Sequence, residues 1–128
     1  MKIVSAEARH YRLELPVVLS DAKHGDMTHF ALVTCHIKTD DGVEGMGYTY
    51  TVGDIGGAAT HALLASDINS VLIGMDPRCT EAIWEKLWWH MHFVGRGGLV
   101  AFAMAAADIA CWDAKAKAAG EPLWRVLG

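Results

Sequence analysis

The hydrophobic pattern of this 128-residue chain changes period once, near Gly56-Gly57, and that switch limits the fold to strands followed by helices. From Lys2 to Tyr50 the residues favour strands. Within Phe30–Lys38, Ala31, Val33, Cys35 and Ile37 fall on one face at a period of two. Asp40-Asp41-Gly42 follows, and Val43–Tyr50 forms the next run. Asp-Gly between two such runs is a strong short-range hairpin signal, because both residue types tolerate positive φ. A weaker first run, Lys2–Leu15, is closed by Pro16. Together these predict three antiparallel strands. Val17–Thr28, with Ser20, Asp21, Gly25 and Asp26, is expected to be a long loop between the first two. A loop of that length in a small domain is usually functional or mobile.

Beyond Gly57 the period is helical. Leu64, Ile68, Val71 and Leu72 recur on one face, and Gly74 stands where a helix stops. Asp76 fits the N-cap of a second helix, with Pro77 in its first turn. Ile83, Trp84, Leu87, Trp88 and Met91 make that helix's apolar face. Trp89 and Phe93 add bulk on other sides, which predicts cover from more than one direction. A third, alanine-rich helix runs from near Gly98 to about Ala119, carries an Asp113–Lys117 pair, and ends at Gly120 with Pro122 beyond. The expected fold class is α+β: a three-stranded antiparallel sheet followed by a bundle of three helices, in one domain. No internal repeat is visible.

Composition narrows the partners. Hydrophobic residues make up 52% and charged residues 20%, enough for a globular core. Eleven basic and fifteen acidic side chains give a net charge of −4, and the basic residues are scattered, which argues against nucleic acid or an anionic membrane surface. The longest stretch without Asp, Glu, Lys or Arg, Ile55–Ser66, contains Thr60 and His61 and falls short of the roughly 20 apolar residues of a membrane span. The start, with Lys2 and Glu7, breaks into charge before an apolar signal core forms. Cys35, Cys79 and Cys111 are odd in number and set among apolar neighbours, so they read as reduced thiols of a cytoplasmic protein.

Few residues group into chemistry. His90-Met91-His92 is the nearest approach to a metal pair, but residues two apart on a helix point about 200° from each other. Cys35 and His36 face opposite sides of a strand, against a thiol–imidazole dyad. Gly95-Arg96-Gly97-Gly98 before a helix resembles an anion cradle without the Lys-Ser/Thr of a phosphate loop. Lys115-Ala116-Lys117 fits a solvated helix end, and Asp108 a hydrogen-bonded structural carboxylate. The polar residues of more interest lie in two loops. One holds Ser20, Asp21, Lys23 and His24; the other holds Tyr48, Tyr50, Thr51 and Asp54. Their hydroxyls, ammonium and imidazole suit a small polyhydroxylated or carboxylated ligand, although residue types alone favour plain solvated loops.

The C-terminal stretch Ala105–Gly128 shifts that balance. Its Asp-Ile-Ala-x-Trp-Asp core at Asp108–Asp113, its Gly120-x-Pro122 turn and its closing Leu127-Gly128 resemble the end of the N-terminal capping domain of the enolase superfamily, in the mandelate racemase/muconate lactonizing branch. The resemblance covers the whole chain, with the first strand, the Asp-Gly hairpin, Gly74-x-Asp76-Pro77 and the three helices in family order. Ser20-Asp21-Ala22-Lys23 and Gly95–Gly98 are similar to acid-sugar dehydratases acting on galactarate or talarate.

The resemblance implies a cap over a TIM-type barrel of on the order of 200 residues or more, which this chain does not include. In the family that barrel carries the Lys-x-Lys base motif, three Asp/Glu ligands for Mg²⁺ and a His–Asp pair, so no catalytic or metal-binding residue carries over. Lys115-Ala116-Lys117 matches Lys-x-Lys in letters only, because it lies on the last capping helix. Mg²⁺ is expected in the complete enzyme, where it stabilises an enediolate. By position the two specificity loops are Val17–His29 and Tyr48–Gly56, with Asp21, Lys23, His24, Tyr48, Tyr50 and Thr51 as substrate-binding candidates. Expected partners are an acid sugar or other α-hydroxy carboxylate, and a barrel or a second copy meeting an apolar surface on the alanine-rich helix and the Trp124–Leu127 tail. A free-standing binding or assembly module that kept the cap fold without its chemistry is the alternative. A small metalloprotein using His90 and His92 is a weaker one.

Overall fold

β1 (Ile3–Asp21), β2 (Gly25–Thr39) and β3 (Glu44–Val52) form one antiparallel sheet in the order β1-β2-β3 in a computed structural model that describes residues 1–128. Register places Ala6, Ile37 and Gly45 in one row and Ala8, Cys35 and Gly47 in the next, all on the face that packs against the helices. The other face, with Glu7, Arg9, Tyr11, Met46, Tyr48 and Tyr50, is open to solvent. Alternation along β2 therefore reads directly as burial: Ala31, Val33, Cys35 and Ile37 are all in the core. At the Asp-Gly turn Gly42 adopts φ 87° and its N–H donates to the Thr39 carbonyl at 3.0 Å.

The expected loop from Val17 to Thr28 is instead the outer half of a long hairpin. β1 continues through Pro16, and the two strands pair out to Asp21 and Gly25 across a turn at Ala22-Lys23-His24. Two facts let a proline lie inside this strand. β1 is an edge strand, and its register slips between Glu14 and Leu19, so the proline sits in a bulge where no ladder donor is required.

The first helical run comprises α1 (Gly57–Ala62), a π-helical stretch (Leu63–Ile68) and α2 (Asn69–Leu72), and it buries Leu64, Ile68 and Leu72 completely. Each such aliphatic side chain contributes about 1.5–3 kcal/mol. Gly74, at φ 83°, ends the run, and its N–H donates to the Ile3 carbonyl.

α3 (Thr80–His90) begins later than expected, with Cys79 at the N-cap. Asp76 does not cap it. Its carboxylate accepts the Arg78 backbone N–H at 3.0 Å and pairs with the Arg78 guanidinium at 2.6 Å, closing a local turn instead. The expectation that α3 is covered from several sides also fails. Ile83, Leu87 and Met91 are buried, whereas Trp84, Trp88, Trp89 and Phe93 are exposed. Trp88 and Trp89 carry the Arg96 guanidinium, 4.4 and 4.8 Å from their ring centroids, so this bulk serves a cation rather than a second core.

α4 (Leu99–Ala119) is the central helix, followed by a short α5 (Leu123–Leu127). It lies so close to β3 that a Cβ on Gly47 would stand 2.0 Å from the Ala106 carbonyl oxygen, and one on Gly45 2.2 Å from that of Ala110. Asp113 accepts the Met46 N–H at 2.8 Å, and Lys117 bridges Asp113 at 2.7 Å and the Glu44 carbonyl at 3.1 Å. Ala103, Ala106, Ala107, Ala110 and Ala114 are thus buried within the domain and offer no outer apolar surface; Phe102, Ile109, Trp124 and Leu127 are exposed. Cys35 and Cys111 are buried, with burial pushing both thiols up to about 12, whereas Cys79 is exposed. No helix is long and apolar enough to cross a membrane.

Candidate functional site

The hairpin tip is built by Asp21. Its Oδ1 accepts the backbone N–H of Lys23 at 2.8 Å and of His24 at 2.7 Å, and its Oδ2 accepts the His24 ring Nδ1–H at 2.7 Å. The His24 backbone donor, then its ring, then the Lys23 N–H hold the Asp21 carboxyl down at about 2. Asp21 therefore shapes the turn, and the turn leaves the Lys23 ammonium without an ion pair.

Lys23 and His24 border an open cleft of about 940 Å³ together with Tyr50 and Thr51 at the end of β3. Of the six candidates, four meet here. Asp21 is spent within the turn, and Tyr48 stands on the open face of the sheet, outside the cleft. Tyr50 borders the cleft while its ring lies 5.0 Å from that of Phe30. Thr51 offers a buried hydroxyl oxygen with no partner in the chain. An unsatisfied polar atom of this kind is costly and marks a place for a further hydrogen bond.

Sequence reasoning missed the cleft's apolar wall, Ile55, Leu99 and Phe102. The spacing of Leu99 and Phe102 one turn apart after Gly98 was the available signal, and it reads equally as core. Also missed were Arg12 and His29, which fasten Asp54. Arg12 Nη1 lies 3.1 Å from Asp54 Oδ2 and 2.9 Å from His29 Nε2.

Asp108 makes no hydrogen bond within the chain; it is half-buried in a hollow beside Trp84 and Trp112, and desolvation raises its carboxyl. The Arg96 Nε–H donates to the Trp88 carbonyl at 2.9 Å while the guanidinium covers the Trp88 and Trp89 indoles. His90 ends α3, and His92 turns its Nδ1 to the Trp89 carbonyl at 2.8 Å. Lys115 sits over the Trp112 ring at 4.4 Å. No three His, Cys, Asp or Glu side chains are placed to share a metal ion.

A three-stranded antiparallel sheet backed by helices is the architecture of an enolase-type N-terminal domain. Residues 3–128 match the mandelate racemase / muconate lactonizing enzyme N-terminal domain, and the chain belongs to that family. It is 45% identical over 118 residues to the 3,6-anhydro-alpha-L-galactonate cycloisomerase of Streptomyces coelicolor, covering 92% of this chain and 32% of that protein. It is 39% identical over 121 residues to the L-talarate/galactarate dehydratase of Salmonella typhimurium, covering 91% and 30%. Among solved structures, a racemase from Streptomyces coelicolor A3(2) with bound magnesium superposes with a TM-score of 0.93 at 43% identity, over 98% of this chain and 35% of that one. The Salmonella dehydratase liganded with Mg and L-lyxarohydroxamate gives 0.90 at 36% identity, over 99% and 33%. The chain thus spans about a third of the length of the curated relatives it matches.

Proposed function

We propose that this chain is the substrate-capping and specificity domain of an Mg²⁺-dependent acid-sugar dehydratase or isomerase. The observation that carries this reading is the convergence of the unpaired Lys23 ammonium, the His24 imidazole and Tyr50 on one cleft with an apolar wall. An ammonium suits a carboxylate, an imidazole suits a sugar hydroxyl, and Leu99 and Phe102 offer the carbon chain an apolar wall. The names of the relatives, a talarate/galactarate dehydratase and an anhydrogalactonate cycloisomerase, supply the ligand class.

The donor set of residues 1–128 does not fit Mg²⁺, since no three candidate ligands converge. No metal-dependent step is therefore assigned to this domain. In this reading a barrel continuing from the domain supplies the metal and the proton-transfer groups. The domain binds and orients the acid: Lys23 holds a carboxylate or hydroxyl, His24 offers one further hydrogen bond, and the hairpin tip closes the cleft.

The test is titration of the ¹⁵N-labelled chain with galactarate and, in parallel, with its uncharged alditol galactitol. Saturable shifts of the Lys23, His24 and Thr51 amides with the diacid, lost in Lys23→Ala, are expected. Equal shifts with galactitol, or none with either, would overturn the reading and leave a module that kept the fold alone.

A further inference from the structure

Beside the cleft, three charged or titratable side chains from three segments meet at one atom. Arg12 reaches from β1, His29 from β2, and Asp54 from the turn between β3 and α1. His29 Nε2 lies 2.9 Å from Arg12 Nη1 and 3.3 Å from Asp54 Oδ1, while its Nδ1 lies 3.1 Å from Thr28 Oγ1. Arg12 also bonds Asp54 at 3.1 Å and Glu14 at 2.6 Å. The His29 side chain is only 15% exposed, against 73% for Asp54.

One ring nitrogen thus faces a donor and an acceptor at once. A guanidinium can only donate, so the shorter contact requires a bare Nε2 and places the His29 proton on Nδ1, where it donates to Thr28. Asp54 is then held by Arg12 alone. The backbone adds to the junction: the Gly53 N–H donates to the His29 carbonyl at 3.1 Å, and the Ala31 N–H to the Gly53 carbonyl at 2.9 Å. The charged groups facing the ring are Arg12 and Glu14, its cross-strand neighbour, on β1 and Asp54 in the turn.

We propose that Arg12 is a positioning residue which, by fixing the His29 tautomer and anchoring Asp54, makes the hairpin arm and the β3–α1 turn a single wall of the cleft. The proposal rests on the acid-binding reading of that cleft and concerns how its two sides keep their spacing. Lys23 and His24 come from the arm, and Ile55 and Gly56 from the turn, so relative motion of the two segments changes the distance between the ammonium and the apolar wall.

The experiment reads the imidazole nitrogens of His29 by long-range ¹H–¹⁵N correlation in the full chain without ligand, together with amide exchange at Gly53. The wild type is expected as the Nδ1–H tautomer when neutral. Arg12→Met is expected to convert it to Nε2–H, now donating to Asp54, and to speed Gly53 exchange roughly two- to fivefold. Arg12→Lys, which restores a donor and the charge, is expected to recover the tautomer in part. A wild-type Nε2–H tautomer, or a tautomer and exchange rate indifferent to Arg12→Met, would overturn the proposal. Both measurements are made without an acid present, so a failure of the galactarate titration leaves their outcome intact and the converse also holds.

Discussion

Gly47→Ala is the sharpest test of how this domain is held together. The added methyl carbon would lie 2.0 Å from the Ala106 carbonyl oxygen and 2.5 Å from the Ala110 nitrogen. Both are backbone atoms of α4 and cannot rotate aside, so the helix must move outward or the strand must bend. Inserting a carbon into a packed core costs about 1–3 kcal/mol where side chains can adjust. Here they cannot, so about 3 kcal/mol or more is expected, out of the roughly 5–15 kcal/mol that a domain has in total. Lifting α4 also strains the Asp113 bond to the Met46 N–H and the Lys117 bond to the Glu44 carbonyl. At roughly 3–5 °C per kcal/mol for a chain of this length, Tm should fall by about 10 °C or more. Urea unfolding followed by far-UV circular dichroism measures the free energy, and a thermal scan gives Tm. Gly97→Ala is the control, because a Cβ there meets nothing within 4 Å. It should stay within about 0.5 kcal/mol of the wild type. If Gly47→Ala also stays within that margin, the close approach of α4 and β3 is not a packing constraint and the account of the fold is wrong.

Other outcomes follow from the same geometry. In the longer enzyme proposed to carry this domain, Lys23→Ala should lower kcat/KM for the acid sugar by about ten- to hundredfold, since a hydrogen bond to a charged group is worth about 1.5–3 kcal/mol; unchanged kcat/KM across a panel of acid sugars would make Lys23 plain surface. Among the three thiols only Cys79 should react promptly with Ellman's reagent at pH 8, because burial pushes Cys35 and Cys111 up to about 12; rapid release of more than one equivalent from the folded chain would contradict this. Asp21 and Asp76 are each held down at about 2 against an ordinary 3.8, so what they contribute to stability is fully present above about pH 4 and is lost as pH falls toward 2. Asp76→Asn should therefore lower stability at pH 7, flatten the acid limb over that interval and come nearest the wild type at about pH 2, as measured by urea midpoints; an unchanged acid limb would refute it.

The parts legible in the sequence are those whose signal is local. Ala31, Val33, Cys35 and Ile37 announce a half-buried strand by alternation alone, and Gly42 and Gly120 mark a turn and a helix end by conformation. Pro16 misleads because its cost depends on whether the strand has a neighbour on its free side, a fact set by topology. The indoles of α3 mislead in a related way: hydrophobicity marks surface that gains from cover but not what covers it, and Arg96 comes from a turn beyond the helix. At the cleft, Lys23, His24, Tyr50 and Thr51 could be nominated because polar residues in loops stand out. Leu99 and Phe102 could not, since an apolar residue lining a cleft and one lining a core look alike in a sequence. Arg12, His29 and Asp54 meet only through the hairpin register, which no local pattern reveals.

The grip of α4 on β3 also governs how copies of this chain behave toward one another. A strand at the margin of a sheet exposes unpaired donors and acceptors that can template a foreign strand. Along Glu44–Met46 both are occupied: Asp113 takes the Met46 N–H, and Lys117 takes the Glu44 carbonyl. The opposite margin, β1, is longer, but Pro16 and the slipped register between Glu14 and Leu19 break its row of hydrogen-bonding groups. Loss of Asp113 would thus do more than weaken a helix contact: it would uncover a ready edge for polymerisation, so that Asp113→Ala should betray itself in fibril-seeding and light-scattering assays well before it does in a melting curve.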